Sequence, residues 1–127
     1  MLEKSLQKKA LAIVDDDESV RQAVGTLGRS LGYSVLAFAS AEDLLAARHR
    51  DQIGCVIADM QMPGLTGLEM YQRLKALGEA IPTILITAYP DEPTRERARE
   101  AGVICYLPKP FGDDMIIACL HRAYACQ

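Results

Sequence analysis

Residues 53–59 have the sequence IGCVIAD, in which an apolar run over 53–58 ends at Asp59. The run has no strict alternation of apolar and polar residues, which is typical of a strand covered on both faces in a parallel sheet. Other apolar runs occur at residues 10–14, 34–38, 83–87 and 103–107. The run at 34–38 is the weakest and fits a strand at the sheet edge. The five runs together predict five strands of one sheet.

Helical patterns separate these runs. Apolar side chains recur at helical spacing from Val20 to Leu31, and Gly32 then ends the pattern. The other helices are indicated by capping signals at Ser40 and Thr66, a charged stretch at 94–101 and two acidic residues at 113–114. The order βαβαβαβαβα predicts an α/β fold, doubly wound, with a parallel sheet, right-handed crossovers and helices on both faces.

The chain has 127 residues, of which 50% are hydrophobic and 24% are charged, as in an ordinary globular domain. No linker or repeat is visible, so we predict an N-terminal tail over residues 1–9 and one domain over residues 10–127. No apolar run is long enough to cross a membrane, and residues 1–9 lack the apolar segment of a secretion signal. We therefore expect a cytoplasmic protein with no membrane partner.

The net charge is −3, and four negative charges are consecutive at residues 15–18. The acidity is therefore local, and the chain has no broad basic surface, so we expect no direct nucleic-acid binding. The four cysteines lack Cys-x-x-Cys spacing, which argues against a zinc site or a thioredoxin-like motif.

Polar residues lie at or just beyond the ends of four of the predicted strands. In an open α/β sheet, ligands bind beyond the carboxyl ends of the strands. Asp15 and Asp16 follow the first apolar run, and Asp59 follows the third. Thr87 ends the fourth run, and Lys109 lies just beyond the fifth. Three carboxylates, one hydroxyl and one ammonium group should therefore meet at one edge.

This set of groups suits phosphoryl chemistry. Clustered carboxylates repel one another unless a cation neutralises them, and oxygen ligands open to water suit Mg²⁺. An ammonium group and a hydroxyl beside the ion can hold phosphoryl oxygens, and one carboxylate can act as the nucleophile and become an aspartyl phosphate. Each residue alone has an ordinary structural explanation, such as helix capping within residues 15–18, so the hypothesis depends on their convergence.

Four stretches carry these residues: 13–21 (IVDDDESVR), 59–67 (DMQMPGLTG), 87–88 (TA) and 109–111 (KPF). Together they resemble the receiver domain of bacterial two-component response regulators, and the resemblance covers almost the whole chain. It implies the flavodoxin-like (βα)5 fold with strand order 2-1-3-4-5. It also implies that the chain is a phosphoacceptor switch of a phosphorelay. Such a domain is not an enzyme with a separate substrate, because it catalyses only its own phosphorylation and slow dephosphorylation.

The resemblance implies a role for each matching residue. Asp59 would accept the phosphoryl group, which Thr87 and Lys109 would bind and Tyr106 would sense by turning inward. The other implied features are Mg²⁺ binding by Asp15, Asp16, Asp59 and the carbonyl of Gln61, phosphoryl contacts from the amides of Met60 and Ala88, and a cis peptide bond between Lys109 and Pro110.

Three prolines depart from common receivers. Pro108 has no amide hydrogen to donate, so it predicts that the fifth strand lies at a sheet edge. Pro90 and Pro93 should stiffen the loop after Thr87.

The resemblance also implies partners and leaves alternatives open. The partners would be a sensor histidine kinase or phosphotransfer protein and a downstream effector or output domain, such as a DNA-binding domain, contacted through the fourth helix, fifth strand and fifth helix. Phosphorylation would change this face and could drive homodimer formation. One alternative is a degenerate receiver that acts as an interaction module without phosphorylation. The other is an aspartyl-phosphate phosphatase, although that class has its nucleophile in an Asp-x-Asp motif after the first strand.

Overall fold

Five parallel strands form one sheet in the computed structural model, which describes residues 9–125. The strands are β1 (Ala10–Val14), β2 (Val35–Phe38), β3 (Ile53–Asp59), β4 (Thr83–Thr87) and β5 (Cys105–Pro108). Their order across the sheet is β2-β1-β3-β4-β5, so the implied 2-1-3-4-5 order and the doubly wound α/β fold are confirmed. Most of the predicted N-terminal tail, residues 1–8, and residues 126–127 of the predicted domain lie outside the described residues.

Five α-helices connect or follow the strands. They are α1 (Glu18–Ser30), α2 (Ala41–Ala46), α3 (Gly67–Ala76), α4 (Glu92–Ala101) and α5 (Asp113–Ala125), and a 3-10 turn over Arg50–Gln52 precedes β3. Within residues 9–125, no helix is long and apolar enough to span a bilayer.

The helices cover both faces of the sheet. Alternate residues of the central strands point to opposite sides, because side chains in a strand alternate between the two faces. On one face, α2, α3 and α4 pack through the buried residues Leu44, Leu68, Met70, Leu74 and Ala98. On the other face, α1 and α5 pack through Val24, Ile116, Cys119, Leu120 and Ala123. All seven residues of β3 are buried, which explains its continuous apolar run.

Local hydrogen bonds set the ends of the helices. Thr66 and Glu69 form both halves of the predicted capping box at the start of α3. The helix α4 begins two residues earlier than predicted, because Asp91 caps it and Pro93 fits its first turn, where no amide donor is needed. The amide of Val103 donates to the carbonyl of Ala98 at the end of this helix, so β5 begins later than the apolar run.

The strand β5 lies at one edge of the sheet and ends at Pro108. Within residues 9–125 it pairs only with β4, so the missing amide hydrogen of the proline leaves no neighbouring strand without a donor. The edge position that Pro108 predicts is therefore present.

Candidate functional site

Three carboxylates meet at the carboxyl edge of the sheet. Asp15 follows β1, Asp16 is the next residue, and Asp59 ends β3. One oxygen from each carboxylate lies within 4.8 Å of the others. Asp15 and Asp59 are buried and Asp16 is exposed, so the cluster is open to solvent on one side.

The start of α1 holds the Asp15 carboxylate in place. Its Oδ1 atom accepts a hydrogen bond from the amide of Asp17 at 2.9 Å, and Asp17 itself caps α1 by accepting from the amides of Ser19 and Val20. The Oδ2 atom of Asp15 is buried and has no hydrogen-bond partner among the described residues. Helix capping and the acidic cluster thus use neighbouring residues and coexist.

Burial dominates the electrostatics of the two inner carboxylates. Loss of hydration raises the pKa of Asp15 and of Asp59 above the usual 3.8, and the mutual repulsion of the two acids raises the pKa of Asp15 further. Hydrogen bonds from backbone amides, Asp17 to Asp15 and Gln61 to Asp59, oppose the effect of burial. Each carboxylate therefore carries an electrostatic cost that a cation at the cluster would relieve.

One such cation comes from Lys109, which follows β5. Its Nζ atom lies 3.8 Å from Oδ2 of Asp15 and 3.7 Å from Oδ2 of Asp59. The lysine side chain is 26% exposed, so it reaches the two buried acids from the solvent side. The peptide bond between Lys109 and Pro110 is cis.

The cluster also fits a divalent metal ion. Its donors are hard carboxylate oxygens, Asp15 offers a buried oxygen that accepts no hydrogen bond from the described residues, and the exposed side leaves room for water ligands. This combination suits Mg²⁺, which prefers oxygen ligands and keeps several of its waters. Asp15, Asp16 and Asp59 are thus the side chains that could hold it.

The hydroxyl of Thr87 lies on the neighbouring strand. Thr87 ends β4 and is fully buried. Its Oγ1 atom donates to Oε1 of Gln61 at 2.9 Å and accepts from the amide of Tyr89 at 3.0 Å. The amide of Gln61 in turn donates to Oδ1 of Asp59 at 3.1 Å, so the loop after β3 contacts both Thr87 and Asp59.

The two predicted backbone donors differ in their surroundings. The amide of Met60 donates to the carbonyl of Ile86 at 2.8 Å and also interacts with the Asp59 carboxylate, so a phosphoryl oxygen would have to share this donor. Ala88 is exposed directly after Thr87, at the mouth of the site.

A close backbone contact fixes the position of Asp59, and sequence reasoning missed it. Gly67 is the first residue of α3, and a Cβ atom there would lie 2.7 Å from the carbonyl oxygen of Asp59 and 2.9 Å from Cδ2 of Leu85. Only glycine therefore lets α3 approach the end of β3 this closely. In the sequence, a glycine directly after the capping residue Thr66 was the signal that could have indicated this close approach.

The Gly67→Ala substitution should destabilise the fold by about 1–3 kcal/mol, because the backbone oxygen of Asp59 cannot move aside as a side chain can. The matched control is Gly25→Ala in α1, where the added Cβ would meet only side-chain atoms at 3.5 Å or more. That variant should be more stable by about 0.5–1 kcal/mol, since alanine is the better helix former. Urea denaturation of both variants measures the difference, and equal effects would contradict the proposed contact.

The side chain of Tyr106 points into the core in this structure. It comes from β5, is 9% exposed and belongs to the core on the α4 side of the sheet. The guanidinium group of Arg95, on α4, lies 5.2 Å from the centre of the ring, within the range of a cation–π contact. The tyrosine hydroxyl is buried and has no hydrogen-bond partner among residues 9–125.

Replacing Tyr106 with phenylalanine should stabilise the protein by about 1 kcal/mol, because the change removes a buried hydroxyl that has no partner. The matched variant is Tyr124→Phe. The hydroxyl of Tyr124 donates to the carbonyl of Lys9 at 2.8 Å, so its removal should cost about 0.5–1.5 kcal/mol. Thermal denaturation at one pH compares the two, and a destabilised Tyr106→Phe variant would mean that the hydroxyl has a partner in solution.

Comparison with known proteins points to response regulators. The family model of the response regulator receiver domain matches residues 11–121. The response regulator protein TodT of Pseudomonas putida is 39% identical over 111 residues, which are 87% of this chain and 49% of TodT. The transcriptional regulatory protein FixJ of Bradyrhizobium diazoefficiens is 34% identical over 116 residues, which are 91% of this chain and 57% of FixJ.

Solved structures show the same fold. The crystal structure of FixJ-N has a TM-score of 0.85 and 33% identity, and the match covers 96% of this chain and 98% of that one. The response regulator StyR has a TM-score of 0.85 and 39% identity, and the match covers 93% of this chain and 60% of StyR. The chain spans about half the length of the curated relatives it matches.

Proposed function

This chain belongs to the family of response regulator receiver domains, and we propose that it is a phosphoacceptor switch in which Asp59 takes a phosphoryl group from a histidine kinase. The observation that carries the proposal is the meeting of Asp59 with Asp15, Asp16 and Lys109 at one edge of the sheet. As a receiver, the chain is a regulatory domain of a two-component system.

The proposed reaction is a direct transfer to the Asp59 carboxylate. One carboxylate oxygen attacks phosphorus, a new P–O bond forms, and the bond to the donor nitrogen or oxygen breaks. With a phosphohistidine donor, the electron pair of the P–N bond stays on the imidazole, which then takes up a proton. The backbone hydrogen bond from Gln61 orients the carboxylate, and its raised pKa reflects the loss of hydration that makes it a stronger nucleophile.

The other residues stabilise charge on the phosphoryl oxygens. Lys109 already lies within 4 Å of the Asp59 carboxylate, so its ammonium group can follow the charge onto the phosphoryl group. Thr87 supplies a hydroxyl from the adjacent strand. Asp15, Asp16 and Asp59, with the carbonyl of Gln61, would hold Mg²⁺, which supplies positive charge at the phosphoryl oxygens when bound.

The proposed output is a change in the face formed by α4, β5 and α5. Tyr106 belongs to β5, and Arg95 of α4 lies over its ring, so a side-chain contact connects these two elements. Six of the ten residues of α4 are charged, and only Thr94 and Ala98 are buried, so few apolar contacts hold this helix. Thr87 ends the neighbouring strand β4. A change in its position can therefore shift α4 with a small change in free energy.

The relatives support a proposal about the partners. TodT and FixJ are named as regulators and extend well beyond the matched region. We therefore propose that a sensor histidine kinase or phosphotransfer protein donates the phosphoryl group. An output domain or a separate effector would then respond to the phosphorylated form. We also propose that phosphorylation can drive homodimer formation through the face of α4, β5 and α5.

The proposal is tested by incubating the purified protein with acetyl phosphate and Mg²⁺. Intact-protein mass spectrometry should show one added phosphoryl group, and removal of Mg²⁺ with EDTA should abolish the uptake. No uptake from acetyl phosphate or from a phosphorylated kinase would favour an interaction module that works without phosphorylation. Repeated hydrolysis of a phosphate ester with no phosphorylated protein would favour the phosphatase alternative.

A further inference from the structure

The side chain of Gln61 makes a contact that the proposed reaction does not use. Its Oε1 atom accepts the hydroxyl hydrogen of Thr87 at 2.9 Å, between two residues that are 26 positions apart in the sequence. Gln61 lies in the loop after β3, and Thr87 ends β4, so the bond joins the ends of two neighbouring strands. It therefore links the loop that carries the phosphoacceptor to the strand that carries the hydroxyl.

A threonine hydroxyl has only one hydrogen to donate. In this structure that hydrogen goes to Gln61, and a lone pair of the oxygen accepts from the amide of Tyr89. Thr87 is fully buried, so water cannot take the place of Gln61 without a rearrangement. The hydroxyl can thus serve either Gln61 or a phosphoryl oxygen, but not both.

We propose that Gln61 is a positioning residue that restrains Thr87 in the unphosphorylated protein by competing with the phosphoryl group for the hydroxyl hydrogen. The proposal rests on the proposed function, since it concerns the hydroxyl that would bind the phosphoryl group. Transfer to Asp59 then requires the bond between Thr87 and Gln61 to break, and the side chain of Gln61 raises the barrier to phosphorylation.

The magnitude follows from the net value of one hydrogen bond. Such a bond changes an equilibrium by about two- to tenfold, because the partners otherwise bond elsewhere. The Gln61→Met substitution removes the acceptor with little change in side-chain length. It keeps the backbone amide that donates to Asp59 and the backbone carbonyl proposed for Mg²⁺. The buried hydroxyl of Thr87 then lacks its acceptor, which disfavours the unphosphorylated form.

The experiment is a double-mutant cycle of the parent, Gln61→Met, Thr87→Val and the double variant. Two quantities are measured for each protein: the unfolding equilibrium constant in urea without Mg²⁺ or donor, and the initial rate of phosphorylation by acetyl phosphate with Mg²⁺. Gln72→Met is the matched control, since Gln72 is an exposed glutamine on α3 away from the site.

We expect a coupling of about threefold or more in the unfolding equilibrium constant, and a phosphorylation rate about two- to tenfold higher in Gln61→Met than in the parent. The rate increase should vanish in the Thr87→Val background and should be absent in Gln72→Met. An increase that persists in the Thr87→Val background, or a Gln61→Met rate equal to or below that of the parent, would overturn the proposal.

The two measurements also separate this inference from the proposed function. The unfolding cycle requires no phosphorylation, so absence of coupling there would overturn the restraint even if the parent is phosphorylated normally. If the parent took up no phosphoryl group from any donor, the proposed function itself would fail, and the restraint on phosphorylation would fail with it.

Discussion

The Asp59→Asn variant should take up no phosphoryl group under conditions in which the parent takes up one. The amide of asparagine is a poor nucleophile, and its oxygen carries no charge to attack phosphorus. Asparagine keeps the shape of aspartate and an oxygen that can accept from the amide of Gln61, so the loop should stay in place. Burial raises the pKa of Asp59, so removal of this charge should also leave the metal-free protein at least as stable as the parent at neutral pH.

Intact-protein mass spectrometry after incubation with acetyl phosphate and Mg²⁺ measures the uptake. The matched control is Asp51→Asn, an exposed aspartate in the 3-10 turn that precedes β3, which should behave as the parent. Uptake by Asp59→Asn at the rate of the parent would place the phosphoacceptor at another residue.

The Lys109→Met variant should be phosphorylated about 100-fold more slowly than the parent, which corresponds to about 2.7 kcal/mol of barrier. The ammonium group is placed where negative charge develops on the phosphoryl oxygens, and methionine fills similar space without charge. The same change should strengthen Mg²⁺ binding. The lysine lies within 4 Å of both Asp15 and Asp59, so its removal takes away a positive charge that competes with the metal ion.

Initial rates with acetyl phosphate and a calorimetric Mg²⁺ titration measure the two effects separately. Lys75→Met serves as the control, because the Nζ atom of Lys75 donates to the carbonyl of Ala101, away from the site. Loss of Mg²⁺ binding together with phosphorylation in Lys109→Met would indicate that the lysine holds the site together and does not act on the phosphoryl group.

The parts of the fold that depend on local pattern could be predicted from the sequence. The run over 53–58 contains only apolar residues and one glycine, because β3 is buried on both faces. The lack of alternation in this run predicted a strand covered on both faces. The strand ends then located Asp15, Asp59, Thr87 and Lys109 at one edge, because all strands of a parallel sheet point the same way. The strand order itself came from the family resemblance and not from these patterns.

Contacts between distant residues could not be predicted in the same way. The ion pair of Arg50 and Glu79 joins residues 29 positions apart, and neither residue lies in a pattern that indicates a partner. The bond between Gln61 and Thr87 depends on the path of the loop after β3, which sequence periodicity does not describe. The orientation of Tyr106 likewise depends on the placement of α4, because an aromatic residue in a strand can face either the core or the surface.

Because β5 lies at the edge of the sheet, Lys109 and Asp59 belong to regions that differ in local stability. Asp59 lies on a central strand with a neighbour on each side. Lys109 follows a four-residue strand that, in the described part of the chain, is paired on one side only. Edge strands exchange their amide hydrogens through partial opening more readily than central strands do. The amide hydrogens around the Asp59 nucleophile should therefore be better protected from exchange than those around Lys109. A partial opening of β5 would remove the lysine while Asp59 stayed in place, so the rate of phosphorylation should fall on heating before the sheet itself melts.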